Sequence, residues 1–209
     1  VPWREALAGY AEIIQKPVAI RLALLRFLPT CYYGMAMVLI PLLINARTGS
    51  KTAVALFATA SQILAALAQL AAGRASDRVG PRLPTLTAMG AVLTAAVGLS
   101  LFAGRLWGLI VFGILGIAAA WVLSTMMPVL VSARIREAEQ GRVLGLLVLV
   151  WNLAMMISAM IGGALVEVRP GLPFAIAALL NLGSILLARA FFRMGTTSDR
   201  APSRAPRID

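Results

Sequence analysis

The 209-residue chain contains no histidine, one cysteine and only eight acidic residues. Each shortage closes off a chemistry. Without histidine there is no Ser–His relay, no H-E-x-x-H zinc site and no bis-histidine haem. Cys31, the single cysteine, can build neither a disulfide framework nor a zinc site within the chain. The acids are Glu5, Glu12, Asp77, Glu137, Glu139, Glu167, Asp199 and Asp209, and all fall outside the long apolar runs. That placement speaks against an intramembrane aspartyl pair. The chain therefore reads as a non-enzyme, with no metal site and no cofactor expected.

What is present is hydrocarbon. Hydrophobic residues make up 60% of the chain and charged residues 13%, with a mean hydropathy of +0.89. A soluble domain of this size cannot hide so much apolar surface, so the bulk of the chain must meet lipid. The net charge is +11. It gathers in short segments between apolar runs, as in a membrane protein, so nucleic acid is not an expected partner. The excess of arginine over lysine, with abundant alanine, points to a GC-rich bacterial genome.

Six apolar runs are long enough to cross a hydrocarbon core, at 19–44, 52–73, 84–103, 107–131, 143–166 and 172–192. They are too long and too uniformly apolar for barrel strands, so the expected fold is an all-α polytopic membrane protein. The polar breaks are Asn45–Lys51, Arg74–Pro84, Gly104–Leu106, Arg134–Arg142 and Glu167–Gly171. Ahead of the first run, Trp3, Leu7, Tyr10 and Ile14 recur at helical spacing among Arg4, Glu5, Glu12 and Lys16, which predicts an amphipathic surface helix over 1–17. Pro2 suits its first turn and Pro17 interrupts it. The transmembrane unit spans 18–193, and the Ser/Thr/Pro/Arg-rich stretch 194–209 reads as a disordered basic tail. The valine start, with no signal peptide ahead of the first run, reads as a cut end, left by processing or by fragmentation.

Charge counting gives an orientation. With six spans both ends lie on one side, and that side carries 15 of the 19 basic residues, leaving Arg47, Lys51, Arg105 and Arg169 on the other. The positive-inside bias then places both ends in the cytoplasm, in a multi-pass plasma membrane protein of a bacterial inner membrane.

Between the second and third runs stands Gly73-Arg74-Ala75-Ser76-Asp77-Arg78-Val79-Gly80-Pro81-Arg82. The pattern G-x-x-x-D-R-x-G-x-R at this place resembles the signature loop of the major facilitator superfamily. Glu139-Gln140-Gly141-Arg142 before the fifth run and Ile161-Gly162-Gly163 near its end are similar to further family features. The resemblance implies one six-span half of a twelve-helix transporter, built of 3+3 inverted repeats. No arginine lies between Arg105 and Arg134, and Ala159-Met160 stand where exporter N-terminal halves carry Gly-Pro. Together with the Pro17-Val18 entry followed by Arg21 and Arg26, this favours the C-terminal half. Its implied partners are the lipid bilayer, a small-molecule substrate and the N-terminal half, absent from this chain. No acid lies inside a run, so the carboxylate for any coupling proton belongs to that other half.

The resemblance also assigns roles. Gly73 permits a close helix approach, Asp77 faces a neighbouring helix N-terminus, Arg78 and Arg82 pair with acids or helix-end carbonyls, and Gly80 makes a tight turn. Pro81 replaces the family's usual basic residue. Arg134, Arg136, Glu137, Glu139 and Arg142 are expected to link to Asp77 or Arg78 as a cytoplasmic gate. The family's substrate site lies on the first and fourth spans of each half, which here offer Arg26, Thr30, Cys31, Tyr32, Tyr33, Trp121, Ser124 and Thr125. Gln62, Trp151 and Asn152 are secondary. Pro29, Pro41 and Pro128 are places where these helices can bend. Arg21 and Arg26 lie within two turns of the surface, where snorkelling is the expected behaviour. The alternative for Arg26 is to line the cavity and attract an anionic substrate. Efflux of drug-like or amphipathic compounds is the expectation. Uptake of a sugar or organic anion, and a self-contained homodimer without transport of its own, stay open.

Overall fold

A computed structural model describes Tyr10 and residues 13–198, with side chains described as far as Arg193. Among the described residues, six long helices follow one another: α1 (Pro17–Thr48), α2 (Lys51–Val79), α3 (Arg82–Phe102), α4 (Leu106–Ser132), α5 (Glu137–Val168) and α6 (Leu172–Ser198). All six are long and apolar enough to cross a membrane. The fold is therefore the expected all-α polytopic one. Most of the anticipated surface helix over 1–17 lies outside the described residues, as does the tail from 199 onward. α6 remains helical through Ser198, past the point where the tail was expected to begin.

The helix ends follow from local chemistry. Pro17 opens α1 at a first-turn position where its missing N–H costs nothing. Ser50 caps α2 by accepting the Ala53 N–H at 3.2 Å. The ten-residue motif is not the loop expected from its polarity. α2 continues through Gly73–Val79, and only Gly80 and Pro81 separate it from α3. Arginine and alanine are strong helix formers and no breaker stands before Gly80, so polar residues here extend the helix beyond the apolar run. Gly80 stops it with φ +80°, its N–H bonded to the Ser76 carbonyl at 2.9 Å. α5 likewise begins at Glu137, inside the stretch expected to be a loop.

The packing has a hidden order. α1 packs on α5, α6 and α4, while α4 packs on α2, α3 and α1, and α3 meets α6. Exchanging the triplet α1–α3 with α4–α6 maps these pairs onto one another. The two triplets cross in opposite senses, as inverted repeats must. α1 is the most enclosed span, with 61% of its apolar window buried against 17% for α2 and 22% for α5.

Between lipid-bathed helices there is no hydrophobic drive to associate, so close packing and hydrogen bonds must supply the adhesion. The fully buried Tyr32 of α1 lies against Gly116 of α4, where any side chain would overlap its ring and hydroxyl. α2 is tied to α4 by Thr125 Oγ1, which lies 2.8 Å from Gln69 Oε1.

Gly116→Ala is expected to cost about 1–3 kcal/mol by overpacking, with Tyr32→Leu in the same chain recovering part of the loss. Thermal unfolding in detergent measures this, and a double variant no better than the worse single variant would count against the contact. For the polar tie, a double-mutant cycle of Gln69→Leu and Thr125→Val should give a coupling of about 0.6 kcal/mol, below about 1.7. Zero coupling would show that the tie contributes nothing.

Candidate functional site

α1 contributes Arg26, Thr30 and Tyr33 to one of its faces through helical spacing. α4 brings Trp121 and Ser124, and α5 brings Trp151. These side chains, with Leu25, Pro29, Ala120, Leu123 and Met127, line a single groove. The Arg26 guanidinium donates to Ser124 Oγ at 3.1 Å and lies 5.7 Å from the centre of the Trp151 ring. Thr30 turns its hydroxyl back to the Arg26 carbonyl at 2.6 Å. Tyr33 and Trp121 meet edge-on with ring centroids 5.9 Å apart. The groove encloses about 20 Å³, room for about one water. α1, α4 and α5 thus form a lined wall rather than a chamber that encloses a solute.

The Arg26 side chain turns to Ser124 and Trp151. At 1.5 Å per residue it stands about 14 Å along α1 from Pro17, while Ser124 stands about 12 Å from the α4 end on the same face of the bundle. Trp151 is deeper, about 21 Å along α5. A guanidinium touching both reaches sideways and inward relative to the start of α1.

Six of the expected cavity residues come together here: Arg26, Thr30, Tyr33, Trp121, Ser124 and the secondary candidate Trp151. Tyr32 does not, because one residue along a helix turns the side chain about 100°, which sends Tyr32 into the α1–α4 core with its hydroxyl 3.5 Å from the Phe112 carbonyl. Cys31 is buried but is not among the groove's lining residues. Thr125 turns to Gln69 rather than to the groove. Gln62 is exposed on α2 and Asn152 on α5, the latter bonded to its own helix at the Val148 carbonyl, 2.9 Å away. On α5 it is Trp151, the residue before Asn152, that reaches the groove.

At the face where α1 begins, the charges pair differently from expectation. Glu139 accepts Lys16 Nζ at 2.7 Å and also pairs with Arg136. Lys16 was not foreseen as its partner. The bond ties the entry of α1 to the entry of α5, the two helices that carry Arg26 and Trp151. Among the described residues, Asp77 and Arg78 are exposed and form no ion pair with the Arg134–Arg142 segment. Arg134 instead stacks over Phe191 of α6 at 5.0 Å. Arg82 and Arg142 are exposed. A side chain at Gly73 would meet open space, so Gly73 serves no close approach within this unit, whereas Gly162 does pack against Met35 and Leu39.

A search of the curated proteins found none similar to this chain. The sequence does match the family model described as Major Facilitator Superfamily, over residues 22–208. The match takes in all but the first residues of α1 and every other helix, including the groove and the Gly73–Arg82 motif. With this match and six helices long and apolar enough to cross a membrane, the chain belongs to the Major Facilitator Superfamily of membrane transporters.

Proposed function

We propose that this chain is the C-terminal six-helix half of an exporter of small amphipathic organic compounds, working by alternating access against a second six-helix half. The observation that carries the reading is the groove. Arg26, Thr30 and Tyr33 on α1 face Trp121 and Ser124 on α4, the two helices that are symmetry mates in the triplet exchange. The rest of its lining is aromatic or apolar, which suits an amphipathic body better than a sugar, whose hydroxyls need many polar partners. The narrow free space is in keeping with a wall awaiting an opposing surface. The two least buried spans, α2 and α5, offer such a surface somewhere to pack.

In this reading the basic face is cytoplasmic, in accord with the charge count. The Lys16–Glu139 bond holds the α1 and α5 entries together as one rocking body. Asp77, Arg78 and Arg82 face out of the unit, so their gate partners lie on the other half. Rocking of one half against the other then exposes the groove alternately to each side.

Cells expressing the intact protein and preloaded with a fluorescent amphipath should lose it faster than control cells, and Trp121→Ala should abolish most of the difference. Net accumulation instead of loss would overturn the direction. For the gate, Asp77→Asn should slow transport while leaving the unfolding midpoint nearly unchanged, since exposed sites without partners shift stability by no more than about 0.5 kcal/mol. Unimpaired transport in that variant would remove Asp77 from the mechanism.

A further inference from the structure

We infer that the groove binds the anionic head of its solute on Arg26: an oxyanion such as a carboxylate or sulfonate, attached to an apolar or aromatic body. This rests on the transport reading above and adds the chemical class that the site accepts.

Four observations converge on it. Arginine is a permanent cation, and Arg26 stands well inside a membrane-crossing helix, where an ion is costly. Its partners are both neutral, the Ser124 hydroxyl and the Trp151 ring. Among the described residues no carboxylate answers it. Asp77, Glu137, Glu139 and Glu167 all lie at helix ends, and Glu139 is already held by Lys16 and Arg136. Among the described residues the groove therefore carries an uncompensated positive charge.

The second donor is Trp121. Its buried Nε1 lies beside Tyr33, a contact outside good hydrogen-bonding geometry that a stronger acceptor can replace. A buried donor so weakly met is costly. Arg26, Trp121 and the Ser124 hydroxyl thus present three donors beside one another, all on the wall of one groove. A solute with an oxyanion satisfies all three, and charge-assisted bonds of this kind are the strong ones. A neutral solute leaves the charge unanswered, and a cationic one is repelled. The Trp151 and Tyr33 rings, with Leu25, Pro29 and Met127, are left to cover the apolar body.

The test uses the intact protein in vesicles of zwitterionic lipid, so that no anionic lipid headgroup supplies the ligand. Three solutes share one ring system: naphthoate, naphthamide and naphthylmethylamine. Naphthoate should be transported preferentially, and Arg26→Gln should reduce that preference about 10- to 100-fold, as loss of a charge-assisted bond implies. Naphthamide transport should change little in this variant, and Arg26→Lys should retain part of the preference. A wild-type preference for the amide or the amine would overturn the inference. So would an equal loss for all three solutes in Arg26→Gln, which would make Arg26 a tie between helices only. If no solute moves at all while the protein unfolds cooperatively, it is the transport reading that fails. Quenching of tryptophan fluorescence by naphthoate then tests the anion site separately. Saturable quenching lost in Arg26→Gln supports the site, and its absence in the wild type removes it.

Discussion

Tyr32 can lie against α4 only because Gly116 has no side chain, and that contact sets how closely the two central helices stand. Everything in the groove depends on this spacing. One residue along α1, Tyr33 turns toward Trp121, and two turns nearer the helix start Arg26 reaches across to Ser124. Push α1 and α4 apart by the width of a methyl group and the 3.1 Å bond from Arg26 no longer closes. The same turn of helix thus separates a structural tyrosine from one that lines the site. In lipid, where apolar surface alone does not drive helices together, such a fitted contact does what a hydrophobic core does in water.

Much of the architecture could be read from the sequence because it follows from the lipid. A run of apolar residues long enough to cross is a span whatever its neighbours do, and all six spans emerged where expected. Helix extent was harder. Arg74 to Arg78 are polar, and polarity reports where lipid ends, not where the backbone stops being helical, so α2 runs on to Val79. Facing was harder still. A water-soluble helix declares its inner side by its apolar stripe, but α4 is apolar nearly all round and gives no such mark. This is why Tyr32 and Tyr33, or Trp151 and Asn152, could not be told apart before the packing was known. The Lys16–Glu139 pair joins positions 123 residues apart and leaves no local pattern at all. Polarity and depth along α1 point to Arg26, Thr30 and Tyr33 but equally to Cys31 and Tyr32, and only the packing separates them.

The triplet exchange makes the backbone nearly symmetric, yet the chemistry laid on it is not. α1 and α4 run in opposite directions, so symmetric positions lie at opposite depths. The cation exists on one of them only. Measured along their helices, Arg26 at about 14 Å, Ser124 at about 12 Å and Trp121 at about 16 Å all lie on the basic side of the helix middle. No polar set of the same kind answers them from the other side, where α4 opens with Leu106, Trp107, Gly108 and Leu109. A solute approaching from the basic face therefore meets the donors of the groove first and the apolar remainder afterwards. From the opposite face the order is reversed, and a charged head would have to cross apolar wall before finding a partner, at the cost that lipid-depth burial imposes on an ion. In the proposed orientation, with the basic face cytoplasmic, loading is easier from inside the cell, in line with the proposed export.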